Sequence, residues 1–210
     1  MLKYILYFYF VISSLFARPV SYVNGWTFIT MNDNKNLSSL IHFTPSSRYS
    51  LGYKVDHDKS KEYWINALNI NYLVKRINKK HSQANIYFKS GAGLIYSDYS
   101  QYSKKKEFVS YAEISTDWEN RHRLYAYNNK VIKSNNIDST FIQKARFGIA
   151  PYVASYGKLH TWLIYELNHM PEENKVFFSN GILRFFKSPN LLEIGMNNDR
   201  DILFNFIKRF

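Results

Sequence analysis

The chain of 210 residues carries 28 Lys and Arg against 16 Asp and Glu, a formal net charge of +12, and no cysteine. That length suits one domain, and the lack of cysteine excludes both a disulfide-stapled secreted fold and a thiolate metal centre. Aromatic residues make up 18% of the chain, chiefly Tyr and Phe, which favours strand over helix.

The N-terminus reads as an export segment. MLKYILYFYFVISSLFA has one positive charge at Lys3, an apolar stretch from Tyr4 to Phe16, and a small residue, Ala17, where cleavage could occur. Leu15 departs from the small residue usual two positions before such a site. The stretch is short for a membrane helix, which needs about 20 residues. An uncleaved anchor or a buried first strand are the alternatives. Removing residues 1–17 takes away one lysine and no acid, so the net charge falls from +12 to +11. Residues 18–210 then form the domain.

Beyond that point the chain alternates apolar and polar residues in segments separated by polar turns, a period of two that gives each strand one apolar and one polar face. GWTFITM (25–31) and SSLIHFT (38–44) come first. RYSLGYKVDH follows, with Tyr49, Leu51, Tyr53 and Val55 opposite Ser50, Gly52, Lys54 and Asp56. In YWINALNINYLVKR the even positions Trp64, Leu68, Ile70, Tyr72 and Val74 oppose Ala67, Asn69 and Asn71. ANIYFKSGAGLIYS sets Ala84, Ile86, Phe88, Ala92, Leu94 and Tyr96 against Asn85, Tyr87, Lys89, Gly91, Gly93 and Ser97.

EFVSYAEISTDWE sets Phe108, Ala112, Ile114 and Trp118 against Tyr111, Glu113, Asp117 and Glu119. HRLYAYN (122–128) is shorter. QKARFGIAPYVA sets Ala145, Phe147, Ile149, Pro151 and Val153 against Lys144, Arg146, Gly148 and Tyr152. LHTWLIYELN sets Leu163, Tyr165 and Leu167 against His160 and Glu166. KVFFSNGILRFF, LLEIGMN and ILFNFIKRF complete about twelve strands, with ten or eight as alternatives.

The fold class expected is all-β: a single closed antiparallel transmembrane β-barrel. An even strand count returns both ends to one side. Odd-numbered connections (NDNKN, HDKSKE, DYSQYSKKK, NKVIKSNNIDST, HMPEEN, NNDRD) are on average longer than the even ones (PSS, NKKHS, ENR, SYGK, KSPN), matching the long-loop, short-turn asymmetry of such barrels. Aromatics near strand ends (Trp26, Tyr49, Trp64, Tyr96, Trp118) suit an interfacial girdle. A closed sheet leaves no edge to satisfy in hydrocarbon.

The segment 202–210 resembles the C-terminal signal of bacterial outer-membrane β-barrel proteins, a terminal aromatic preceded by apolar residues at alternate positions. Ile202, Phe204, Phe206 and Phe210 match it, and Lys208 stands where an apolar residue or tyrosine is expected. The resemblance is to a class and not to a specific family. It implies recognition by the barrel-assembly machinery and residence in a Gram-negative outer membrane.

Charged residues expected to face the lumen are Lys54, Lys89, Glu113, Asp117, Lys144, Arg146, Glu166, Arg184, Glu193 and Arg209, together with Asp56. They form either a salt-bridged plug, since small barrels fill their interiors with side chains, or a basic stripe that draws anions through. Lys104–Lys106 and Lys130–Lys133 are expected on outward loops facing lipopolysaccharide. No catalytic pattern appears: none of the six histidines starts a His-x-Ser, and His42-x-Thr44 is the nearest. No metal-ligand spacing and no cofactor motif is present, and Asp56-His57-Asp58 reads as a solvated loop.

The function expected is a non-enzymatic, monomeric outer-membrane barrel. Its role is structural or that of a narrow channel for small solutes, anionic ones among them, with outer-membrane lipids rather than nucleic acid as partners. An outer-membrane lipid hydrolase and an exported soluble barrel holding an apolar ligand are the alternatives.

Overall fold

The computed structural model describes residues 22–98, 105–155, 157–173 and 175–210, and all regular structure among them is β-strand. The export segment expected at 1–17 lies outside the described residues. Twelve strands follow in chain order: β1 (Gly25–Asn32), β2 (Asn36–Ser46), β3 (Tyr49–Asp58), β4 (Tyr63–Asn78), β5 (Ser82–Ser97), β6 (Lys106–Asn120), β7 (Arg123–Ser134), β8 (Ser139–Ile149), β9 (His160–His169), β10 (Phe177–Lys187), β11 (Asn190–Asn197) and β12 (Ile202–Arg209). Each pairs antiparallel with its chain neighbours, and β1 pairs with β12 from Thr27↔Arg209 to Asn32↔Phe204, so the sheet closes. The Trp26 amide donates to the Phe210 carbonyl at 2.7 Å and the Phe210 amide returns a bond to the Trp26 carbonyl at 2.9 Å, which finishes the seam.

The faces are those of a barrel turned inside out relative to a soluble one. Leu68, Phe108 and Ile202 on the outward rows are 72, 63 and 70% exposed, whereas Ser50, Asn71, Asn85, Ser97, Glu166 and Asn205 are buried on the inward rows. A soluble barrel around an apolar ligand would show the reverse. Two apolar clusters do lie inside, one around Ile65, Ile95 and Val109, the other around Trp162, Ile164 and Leu203. They fill part of the bore. Trp26, Trp64 and Trp118 face outward near strand ends. Trp118, Tyr125 and Phe147 form a run of rings with centroids 5.7 and 5.3 Å apart.

Three expectations fail locally. The strand expected to run through Val153 stops at Ile149, because Pro151 has no amide to continue the ladder. The connection after it, 150–159, is therefore the longest at the end where the termini lie, and the expected length asymmetry is blunted. β7 extends to Ser134, so Lys130 and Lys133 are strand residues and not loop residues; Lys106 opens β6, Lys105 precedes it on the connection as expected, and Lys104 lies outside the described residues. Asp56-His57-Asp58 is the end of β3, with the His57 ring stacked on Trp64 at 4.1 Å.

Glycines in β5 do more than widen the bore. A Cβ on Gly91 would stand 2.4 Å from the Tyr111 ring, its cross-strand neighbour, so the missing side chain is what lets that ring lie down. At Gly93 a Cβ would meet the Asn66 carbonyl oxygen at 1.9 Å, so β4 and β5 approach backbone to backbone there.

Candidate functional site: an ion-paired lumen

Two cavities occupy the bore. One, of about 900 Å³, opens at the end of the turns 79–81 and 121–122 and is lined by Arg76, Lys79, Arg121, Arg146, Arg184 and Arg209 against the acids Asp117 and Glu119. The other, of about 560 Å³, occupies the opposite half and balances Lys54, Lys89, Lys130 and Lys144 with Asp56, Glu113, Asp138 and Glu173. Tyr87, Asp117, Ala126, Arg146 and Arg209 line both, so the cavities meet at that level.

On the β8–β12 wall the pairing is dense. Arg146 donates through Nε to Glu166 at 2.5 Å and through Nη1 to Glu193 at 3.2 Å. Arg184 reaches the same Glu193 oxygen from Nε at 2.7 Å, and Asn205 donates to the other at 2.7 Å. Lys144 lies 3.5 Å from Glu166, which also accepts from Asn168 and Asn180. Alternation makes this possible, because even residues of β8, β9 and β10 and odd residues of β11 and β12 share the inner face.

The β3–β7 wall faces it with a second set. Lys89 pairs with Glu113 at 2.5 Å, and Lys54 with Asp56 at 2.5 Å. Ser115 and Asn128 also donate to Glu113. Tyr111 lies between Lys54 and Lys130, whose ammonium groups stand 5.1 and 5.0 Å from its ring, a double cation–π contact. Asp117 is held by Asn85 at 2.6 Å.

Two lumen cations escape a strict reading of alternation. A bulge between Leu73 and Lys75 flips the parity of β4, so Arg76 turns inward to Asn85 and Tyr87. The visible sign was two consecutive apolar residues, Leu73 and Val74, inside an alternating run. Lys130 was hidden by Asn128-Asn129, which reads as a turn but continues β7.

At the loop end, four connections are tied over the mouth. Lys61, after β3, lies 3.3 Å from Glu173, after β9, and 3.1 Å from Asp138, after β7. Lys35, after β1, meets Glu173 at 3.3 Å. The Lys61–Glu173 pair joins points half-way round the ring from each other, so it spans the bore. Burial works to raise the Glu173 carboxyl, but Lys35 and Lys61 outweigh it and hold it below its ordinary value of 4.5. Burial works to lower Lys61, and Asp138 and Glu173 outweigh that and raise it.

A lowered carboxylate stabilises the closed mouth above its ordinary value and loses that effect as pH falls through the shifted one. If the barrel conducts, its current is therefore expected to rise as pH drops below 4.5, and Glu173→Gln to show the same rise already at neutral pH. Equal conductance of variant and parent across that range would remove the tie from any gating role.

The histidines are spread out. His42 is 2% exposed and Thr44 fully buried on the inner face of β2, where His42 borders the loop-half cavity, so this nearest catalytic pair is turned to the bore and away from the membrane. Among the described residues no group of three or more His, Cys, Asp or Glu is placed to hold a metal ion.

No protein-family model matches the chain, and no curated protein matches its sequence. Among solved structures, a KdgM porin superposes on 89% of this chain and 98% of its own, at 10% identity and a TM-score of 0.51. A KdgM porin in complex with disordered oligogalacturonate does so over the same shares, at 9% identity and a TM-score of 0.54. The chain has the fold of a bacterial outer-membrane β-barrel. At these identities the likeness is one of fold. The beta domain of the Bordetella autotransporter BrkA, at 10% identity, 89 and 98% coverage and a TM-score of 0.48, is a weaker likeness within the same outer-membrane β-barrel architecture.

Proposed function

We propose that this outer-membrane β-barrel is a narrow channel for small anionic solutes, delivered to the membrane by the segment 1–17 and assembled through the pattern Ile202, Phe204, Phe206 and Phe210. The observation that carries the reading is the meeting of the two cavities at Tyr87, Asp117 and Arg146, with basic side chains outnumbering acids in the turn-end one. Guanidinium and ammonium groups on a low-dielectric wall concentrate anions and repel cations. The inner pairs keep the bore narrow, so conductance is expected to be small.

Single-channel recording in planar bilayers under a potassium chloride gradient tests this. A reversal potential favouring chloride supports it, and an oligogalacturonate, the solute of the KdgM complex, is a suitable blocker to try. A barrel that inserts but passes no current at any pH leaves the structural reading instead. That second reading draws on the density of the β8–β12 ion network, which resembles a plug as much as a path. A hydrolase finds no support in the buried His42 and Thr44.

A further inference from the structure

Charge is distributed unevenly between the two ends of the barrel. Asp56, Glu113, Asp117, Glu119, Glu166 and Glu193 lie along the bore, and the rest of the 16 acids lie at the loop end. The turn end, where residues 22 and 210 both lie, has its acids, Asp117 and Glu119, on the inner wall of the vestibule and none on its outer wall among the described residues, yet it is ringed by lysine and arginine. Some of these, such as Lys79 and Arg121, look into the vestibule. Others cannot, because their strand parity points them away from it.

Lys187, Asn190 and Lys208 are the clearest case. Lys187 pairs with Asn190 across β10–β11, and Asn190 pairs with Lys208 across β11–β12, so the three form one rung. All are exposed and all share the outward face. Adjacent strands are about 4.8 Å apart, which puts the two lysines roughly 10 Å apart at the backbone with an amide between them. The ammonium of Lys208 stands 5.7 Å from the Phe210 ring, at the edge of the apolar wall.

The next outward rungs toward the loop end are apolar throughout: Phe185, Leu192 and Phe206, then Leu183, Ile194 and Phe204. Beyond them is Gly181, where a Cβ would have nothing within 4 Å. This notch opens a groove of about 680 Å³ lined by Phe147, Leu163, Leu183, Ile194 and Met196. Lys187 lies six residue steps from Gly181 on β10, about 20 Å along the strand. A cationic rung, two apolar rungs and a groove follow one another on the same three strands, in the order of a headgroup and its tail.

We infer that the outer face of β10–β12 binds one anionic phospholipid of the leaflet at the turn end, its phosphate on Lys187, Asn190 and Lys208 and an acyl chain in the groove at Gly181. This site stands whether or not the lumen conducts.

The test is retention of lipid by the full barrel in nanodiscs of mixed phosphatidylglycerol and phosphatidylethanolamine, read by native mass spectrometry after release into detergent. The parent is expected to keep phosphatidylglycerol preferentially. Each lysine near an anionic surface contributes about five-fold in affinity, so Lys187→Gln with Lys208→Gln should cut that preference on the order of twenty-fold. Gly181→Leu should fill the groove and weaken retention of both lipids. Lys106→Gln with Lys133→Gln, at the loop end, should change nothing. All of these positions are exposed on the outer wall, and heat-modifiable migration on gels confirms that each variant is folded. An unchanged preference in the double lysine variant, or its loss to competing inorganic phosphate, would overturn the proposal. So would tight retention in Gly181→Leu.

Discussion

Replacing Glu193 by alanine is expected to cost about 3–5 kcal/mol of barrel stability, the penalty typical of breaking a buried ion pair from one side. Glu193 is 3% exposed and is the shared acceptor of Arg146, Arg184 and Asn205. Its removal takes away the carboxylate that Arg184 is hydrogen-bonded to and leaves Arg146 paired with Glu166 alone. Urea unfolding in lipid vesicles, followed by tryptophan fluorescence, measures the effect. Glu193→Leu combined with Arg184→Leu should recover only the part of the loss due to Arg184, because an apolar pair replaces that ion pair at little cost while Asn205 and Arg146 still lack their acceptor. If Glu193→Ala unfolds at the parent's urea concentration, the network is ornamental and the plug reading loses its basis. In a conducting barrel the same variant should also shift selectivity further toward anions, since one negative charge leaves the bore.

The second large effect concerns the outer face. Phe88 is 41% exposed and pairs with Ile114, 55% exposed, near the middle of the two long strands β5 and β6. A lysine at either position would sit in hydrocarbon, and the expected cost is about 2–4 kcal/mol if the site lies at the bilayer midplane. Phe88→Leu should cost little, which separates the charge from the lost ring. Lys89, the next residue, points the other way and pairs with Glu113. Refolding into vesicles against urea reads both. Tolerance of Phe88→Lys together with loss of folding in Lys89→Phe would mean the faces are reversed.

The barrel was legible because its signal is periodic and simple. Wherever one face meets hydrocarbon and the other water, a period of two is enforced along the whole strand, so rows such as Phe88, Leu94 and Phe108 stand out without any motif. Closure also follows, since no open edge survives in a membrane. What failed is what breaks the period. Pro151 ended β8 while Val153 still matched the pattern, and Asn128-Asn129 continued a strand despite looking like a turn. The bulge at Leu73–Lys75 turned Arg76 inward, and only the partner strand's register reveals that. The tie between Lys61 and Glu173 joins residues far apart in the chain and follows no spacing rule. Alternation says which side a charge faces, not which charge it meets.

The strands differ greatly in length: β4 and β5 have 16 residues each, whereas β1, β11 and β12 have 8. At about 3.4 Å per residue and a tilt near 40°, the short wall rises roughly 20 Å, less than the apolar band of about 25 Å usual for such barrels. The tall side reaches roughly twice that height. A membrane around this lopsided cylinder is drawn thin beside the β12–β1 seam, while the tall side leaves its polar strand ends standing clear of the hydrocarbon, so the molecule carries a built-in, one-sided bilayer deformation. The cost of mismatch is lowest where a neighbour shares it, and the short side is therefore where a second membrane protein would find the bilayer easiest to displace.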